Sequence, residues 1–269
     1  MDYTKSNMNK ITESVLLFKN SFVSTRITAQ RLYSTYSKLE KEFHLHGCRI
    51  LELGAGRGGV IQLFDESNDV IGIDKYLGAF EQGTWKAIKT ITRKLLFDEF
   101  MRRQLRKMNG DRLFTNRKVL NMDATDLKFE ENSFDFIYSR FFLEHIEPIE
   151  KIATETFRML RPGGTTYHVF ALYTALDGAH TLDWRKFEPW QHLYGTVPSN
   201  AYVNKYRLSH YTKAFAAVYG SENVEIRLKR DAKAIPLLTP DLKEKLSGFA
   251  DDELLVGSPE IIARKPGIK

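Results

Sequence analysis

Residues 49–59, Arg-Ile-Leu-Glu-Leu-Gly-Ala-Gly-Arg-Gly-Gly, restrict this chain more than any other stretch. Ile50, Leu51 and Leu53 form the short apolar run of a buried strand, and the run ends in a glycine cluster. Val60-Ile61-Gln62-Leu63-Phe64 then reads as the start of a helix. Glycine at such a turn takes backbone angles closed to other residues and lets a ligand approach the main chain. Strand, glycine turn and helix in that order predict a nucleotide-like ligand at the carboxyl edge of a parallel sheet.

The neighbours decide which nucleotide. Gly54, Gly56 and Gly59 satisfy G-x-G-x-x-G, and Asp74 lies 20 residues beyond Gly54, as in a dinucleotide fingerprint. Other features point elsewhere. Glu52 sets a carboxylate just ahead of the glycines, where it could hold a cationic amino group. Asp74 ends a second strand, Val70-Ile71-Gly72-Ile73, and its two oxygens can accept from two ribose hydroxyls. Asp123-Ala124 follows a third strand-like run, 118–122, and Phe134–Ser139 reads as a fourth. Arg161-Pro162-Gly163-Gly164 then stops a helix over 150–160 ahead of a fifth strand, Thr165–Leu172.

This ordered set resembles the class I S-adenosylmethionine-dependent methyltransferases, specifically their type 11-like group, over roughly residues 49–172. The resemblance implies an α/β fold: a Rossmann-like seven-stranded sheet with helices on both faces and the methyl donor across its switch point. It implies S-adenosyl-L-methionine as cofactor and S-adenosyl-L-homocysteine as product. Carried onto this sequence, it has Glu52 hold the methionine end, Gly54 and Gly56 pass beneath it, Asp74 bind the ribose, and Asp123 and Ala124 flank the adenine. Ala55 and Gly58 in the loop, Lys75 beside Asp74, and Ser139 and Arg140 after the fourth strand come into the donor site on the same grounds.

Length and composition agree with one domain. A chain of 269 residues can bury a full α/β core, and one cysteine, Cys48, excludes a disulfide framework. The apolar run at 15–18 is too short for a signal peptide core and no 18-residue apolar span occurs, so the cytoplasm is the expected compartment. The formal net charge of +6 is concentrated: residues 86–118 hold eleven Lys or Arg and three acids. A solvated helix face is the first explanation for that charge, and an anionic substrate group the second.

Around the core, the sequence predicts an N-terminal helical cap over 1–46, a basic helical insertion over 75–118 and a further insertion over 229–258. Phe18, Phe22, Ala29, Leu32, Tyr36, Leu39 and Phe43 give the cap an apolar face, which either covers the sheet or brings Tyr33 or Tyr36 to the cofactor mouth. Thr239 and Pro240 read as the cap and first position of a helix in the last insertion. Residues 173–200 hold two of the three tryptophans and two of the seven histidines in a long connection at a ligand-binding edge. They read as the acceptor loop, with Tyr173, Trp184, Trp190 and His192 as substrate contacts.

A hydroxyl acceptor needs a base, and histidine suits that work near neutral pH. His180, oriented by Asp183, is the first candidate; His145, in the segment after the fourth strand, is open to a positioning or catalytic role. His192 and His210 complete the set. No metal-ligand cluster is legible. The expected activity is methyl transfer, as an O-methyltransferase, to a small biosynthetic molecule such as a natural product, sugar or lipid precursor. A nucleic-acid methyltransferase, held open by the basic segment, and a silent cofactor-binding partner are the alternatives. The methylated atom and the oligomeric state are not legible.

Overall fold

The computed structural model describes residues 3–75, 98–181 and 183–267, with side chains from residue 22 onward. Trp85 and the lysines and arginines over 86–94 in the basic segment, together with Phe18, lie outside that description.

A 41-residue helix, α1 (Tyr3–Phe43), leads into β1 (Arg49–Leu53), whose side chains from Ile50 on are buried. The sheet continues with β2 (Asp69–Ile73), β3 (Lys118–Leu120), β4 (Phe134–Arg140), β5 (Leu160–Val169), β6 (Val224–Arg227) and β7 (Glu260–Arg264). Their order in space is β3-β2-β1-β4-β5-β7-β6, with only β7 antiparallel to its neighbours. The order reverses between β1 and β4, and such a switch point opens a crevice at the carboxyl ends of the strands.

Each face of the sheet has its own cover. On one, α3 (Ile149–Met159) and α5 (Leu208–Tyr219) bury Ile152, Met159, Tyr211, Phe215 and Tyr219 against Leu51, Leu53 and Ile137. On the other, Leu32, Tyr36, Leu39 and Phe43 of α1 pack on Ile50, Phe64, Phe136 and Tyr138. The helix stripe therefore covers the sheet. Tyr33 joins Tyr36 against α2, whose described part runs over 98–108 and buries Leu105 beside Ala29 and Leu63. Arg102, Arg103, Arg106 and Lys107 on α2 face solvent.

Residues 60–64 depart from the sequence reading. They form successive turns and no α-helix, with Leu63 N bonding Val60 O at 2.9 Å. The reason lies in where their carbonyls go. Gln62 O accepts from Phe114 N at 2.8 Å, Leu63 O from Asn109 Nδ2 at 3.0 Å, and Asp65 O from Arg117 at 2.6 Å. Val60, Ile61, Leu63 and Phe64 are buried on all sides between α1 and the sheet, so no polar face exists to give helical periodicity.

Beyond β5 a satellite core forms. Trp190 sits at the entry to α4 (Gln191–Tyr194) and packs with Leu176, Leu246, Leu254 and Leu255. Two short helices, α6 (Pro240–Lys245) and α7 (Asp251–Leu254), supply the other wall. Thr239 caps α6, its hydroxyl accepting from Leu242 N at 3.4 Å. No helix among the described residues is long and apolar enough to cross a membrane.

Candidate functional site

A cavity of about 790 Å³ opens at the switch point. Gly54, Ile73, Asp74 and Lys75 form one side of it, and Met122, Asp123, Ala124 and Thr125 the floor. Phe141, Phe142, His145, Ile146 and Glu147 line the opposite side, closed over by Ala201 and Tyr202.

The glycine loop owes its shape to close packing. Gly54 has φ +68°, and a Cβ there would lie 2.3 Å from the Phe142 ring. Gly56 has φ +54° with open space where a Cβ would be, so its main chain stays exposed to a ligand. Asp74 braces the loop: its Oδ2 accepts from Gly56 N at 2.9 Å. Ala55 is fixed from below by its N bonding Ile73 O at 2.9 Å, and buried Gly58 faces Val119, away from the cavity.

Two carboxylates at this edge have opposite electrostatics. Asp123 receives Lys75 Nζ at 2.7 Å on one oxygen, and Thr125 N and Oγ1 at 2.9 and 2.8 Å on the other. The lysine bond holds its pKa down to about 2, so it stays ionised. Glu52 is buried beside the Tyr138 hydroxyl, with Oε2 in no well-formed hydrogen bond, and that burial pushes its pKa up to about 8 against the smaller opposing pull of Tyr138. An orphaned carboxylate oxygen at the foot of an open glycine turn fits a cationic group, and Asp74 beside it fits a diol.

The two residues after Tyr138 divide. Ser139 Oγ is inside the sheet, 2.8 Å from His168 Nδ1, whose Nε2 lies 2.7 Å from Thr166 Oγ1; the hydroxyl does not line the cavity. Arg140 stacks on Phe141 with its guanidinium carbon 4.5 Å from the ring centroid and lies on the α1 side of the sheet.

Among the histidines, His145 reaches the cavity. Its Nδ1 lies 2.6 Å from the Tyr202 carbonyl oxygen. A carbonyl only accepts, so Nδ1 carries a hydrogen, and whenever the ring is neutral the lone pair is on Nε2. His180 stands behind it, ring centroids 5.2 Å apart and nearly perpendicular. Burial first, then the His145 charge, holds the His180 pKa below the usual histidine value. His180 has φ +51°, and its carbonyl accepts from Asn200 N and Nδ2 at 3.2 and 3.0 Å.

The remaining predicted contacts are elsewhere. Asp183 does not orient His180; its Oδ1 accepts from Arg185 Nε at 2.7 Å, two residues along the chain. His192 Nε2 bonds the Tyr173 carbonyl at 2.7 Å and the Tyr173 hydroxyl returns to His192 O at 3.0 Å, a reciprocal tie. Trp184 and Trp190 belong to the satellite core, and the void beneath this loop is only about 10 Å³. Too little space is left there for a substrate, and on the satellite-core side Leu246, Leu254 and Leu255 of the 229–258 segment pack against Trp190. His210 bonds Arg207 N at 3.3 Å and stacks on Tyr206. Phe141, Phe142, Glu147 and Tyr202 are cavity residues that sequence reasoning did not single out. The segment after β4 was the one available signal, since it runs along this edge. Among the described residues no group of three or more His, Cys, Asp or Glu could hold a metal ion.

Comparison with known proteins agrees with this geometry. A sequence model described as a methyltransferase domain matches residues 51–168. One curated relative, phosphoethanolamine N-methyltransferase 2 of Caenorhabditis elegans, is 43% identical over 42 residues, which is 16% of this chain and only 10% of that protein's length. The fold is similar to that of the YcgJ protein of Bacillus subtilis, with TM-score 0.51, 15% identity, and 88% of this chain and 100% of that one covered. A phosphoethanolamine N-methyltransferase 2 from Haemonchus contortus, solved with S-adenosyl-L-methionine, is similar at TM-score 0.46 and 19% identity, over 87% of this chain and 53% of that one.

Proposed function

We propose that this chain, which belongs to the class I S-adenosylmethionine-dependent methyltransferases, moves the donor's methyl group onto a small-molecule nucleophile, with His145 as its base. The observation that carries the reading is the 2.6 Å contact of His145 Nδ1 with the Tyr202 carbonyl oxygen, in a ring that lines the cavity; it leaves Nε2 as the basic nitrogen of the neutral imidazole.

S-adenosyl-L-methionine, when bound, supplies an electrophilic methyl carbon on a sulfonium. Glu52 would hold its ammonium group, Asp74 its ribose, and Asp123 with Ala124 its adenine, above the apolar floor of Ile73 and Met122. The chain's remaining work is positional. Phe141, Phe142 and Tyr202 line the acceptor side and would restrict the acceptor's approach, which can lower a barrier by several kcal/mol. His145 Nε2 would take the acceptor's proton, leaving the nucleophilic atom its electron pair for the methyl group that the sulfonium releases as its carbon–sulfur bond breaks toward sulfur.

A hydroxyl and an amine both meet that description. Glu147, bonded by the hydroxyls of Tyr202 and Tyr206, favours the amine. A carboxylate beside aromatic rings suits a cationic nitrogen, and the curated relative is named for N-methylation. The test is to incubate the pure protein with methyl-labelled donor and fractionated metabolites, identify what gains label, and repeat with His145→Ala. Label retained at the wild-type rate in the variant would remove His145 from the mechanism.

A further inference from the structure

A second cavity, of about 510 Å³, lies on the α1 side of the sheet at the carboxyl ends of β4 and β5. Four cations line it, Arg31, Lys38, Arg140 and Lys229, against one carboxylate, Glu260, which Lys38 already engages. Arg31, Arg140 and Lys229 make no ion pair with any described residue. Arg31 and Arg140 are near enough to repel: burial first, then the Arg31 charge, disfavours the protonated guanidinium of Arg140, while Glu52 and Glu144 draw it back. Cations gathered around a void without a matching anion form a binding site for one.

Phe141 stands between the two cavities. It lines both, it is 40% exposed, and its backbone is held at φ +49° by a bond from its N to Val169 O at 2.8 Å. A non-glycine residue in that region is strained, and its persistence marks a position the surrounding structure over-determines. A molecule anchored in the cationic cavity would pass Phe141 to reach the His145 side of the first.

We propose that the cationic cavity binds a phosphomonoester on the methyl acceptor, so that the acceptor spans both cavities across Phe141. This rests on the methyl-transfer reading above. A terminal phosphate, with up to two charges and three free oxygens, can engage all three unpaired cations. A phosphodiester backbone offers one charge and two free oxygens, which favours a small acceptor over nucleic acid.

The test uses the full chain saturated with S-adenosyl-L-homocysteine and titrated with inorganic phosphate at constant ionic strength, with chloride as control. Arg31 and Lys229 are exposed, so Arg31→Glu with Lys229→Glu keeps the fold, checked by its melting temperature. The expected result is phosphate binding by wild type, weakened about tenfold or more in the double variant, with homocysteine-product affinity within twofold. Product binding without phosphate binding, or phosphate affinity unchanged in the variant, would overturn the anion site and leave the donor site standing. A parallel loss of product affinity would overturn it too, by assigning the cavity to the donor. Salt-sensitive binding of single-stranded RNA that the variant abolishes would replace the small acceptor with nucleic acid.

Discussion

The edge around residues 52–56, 74–75 and 123–125 and the loop over 173–200 are both rich in groups that suggest chemistry, yet they are built by opposite rules. The loop spends its polar groups on itself. Tyr173 and His192 bond each other, Asn200 doubly bonds the His180 carbonyl, and Asp183 takes Arg185, with Thr181 Oγ1 and Trp190 Nε1 left over. The edge keeps groups in reserve: Glu52 has an unpartnered oxygen, Gly56 an open flank, and His145 a lone pair. Aromatic and histidine content is the same currency for a binding wall and for a satellite core. The space beside those groups separates the two: about 790 Å³ at the edge against about 10 Å³ beneath the loop.

His145→Ala offers the sharpest break in that comparison. Loss of a general base costs about 10²–10⁴ in rate, and the pH–rate profile should lose its ascending limb. His180→Ala, one ring further from the cavity, should cost less. Single-turnover rates with labelled donor check both, and equal losses would show that the two rings act as one unit.

Trp190→Ala addresses the other region. Its side chain is 1% exposed, and truncating a buried tryptophan costs about 3–5 kcal/mol. Denaturant unfolding should show that loss, while the folded fraction keeps its donor affinity. A large drop in affinity at unchanged stability would return the loop to the binding machinery.

Asp74→Ala should weaken donor binding by about 1.5–3 kcal/mol, the worth of hydrogen bonds to a charged group. Calorimetry with S-adenosyl-L-homocysteine measures it. Part of the effect comes through the loop, because Asp74 also holds Gly56 N.

The parts of this fold legible from sequence are those whose signal is local. Thr239-Pro240 announced α6 through cap chemistry that needs no tertiary partner, and the run over 50–53 announced β1 by its apolar residues. The 60–64 run was misread because its hydrogen-bond partners, Asn109, Phe114 and Arg117, lie some 50 residues away. Trp184 and Trp190 were misplaced for the same kind of reason. Their fate depends on Leu246, Leu254 and Leu255, which arrive from a distant insertion. Tyr202 enters the site through its main-chain carbonyl on His145 and its hydroxyl on Glu147, partners more than 50 residues away, and neither leaves a pattern in the sequence.

Glu52 supplies the smallest effect and the most diagnostic one. Its folded pKa of about 8 stands well above the ordinary carboxyl value because burial penalises the charge. The folded chain therefore binds this proton more tightly than the unfolded chain does. The resulting stability is fully present below the unfolded pKa of about 4.5 and is lost as pH rises toward 8. Donor binding runs the other way if Glu52 must be ionised to hold the ammonium group. Affinity for S-adenosyl-L-homocysteine should then fall by up to about tenfold per pH unit below 8, and binding at pH 7 should release a proton from the protein. Calorimetry in two buffers of different ionisation enthalpy counts that proton. Glu52→Gln should abolish the release and flatten the fall in melting temperature between pH 5 and 8, since an amide does not titrate. Proton release that persists in Glu52→Gln would move the linkage to another group and leave the buried carboxyl a purely structural one.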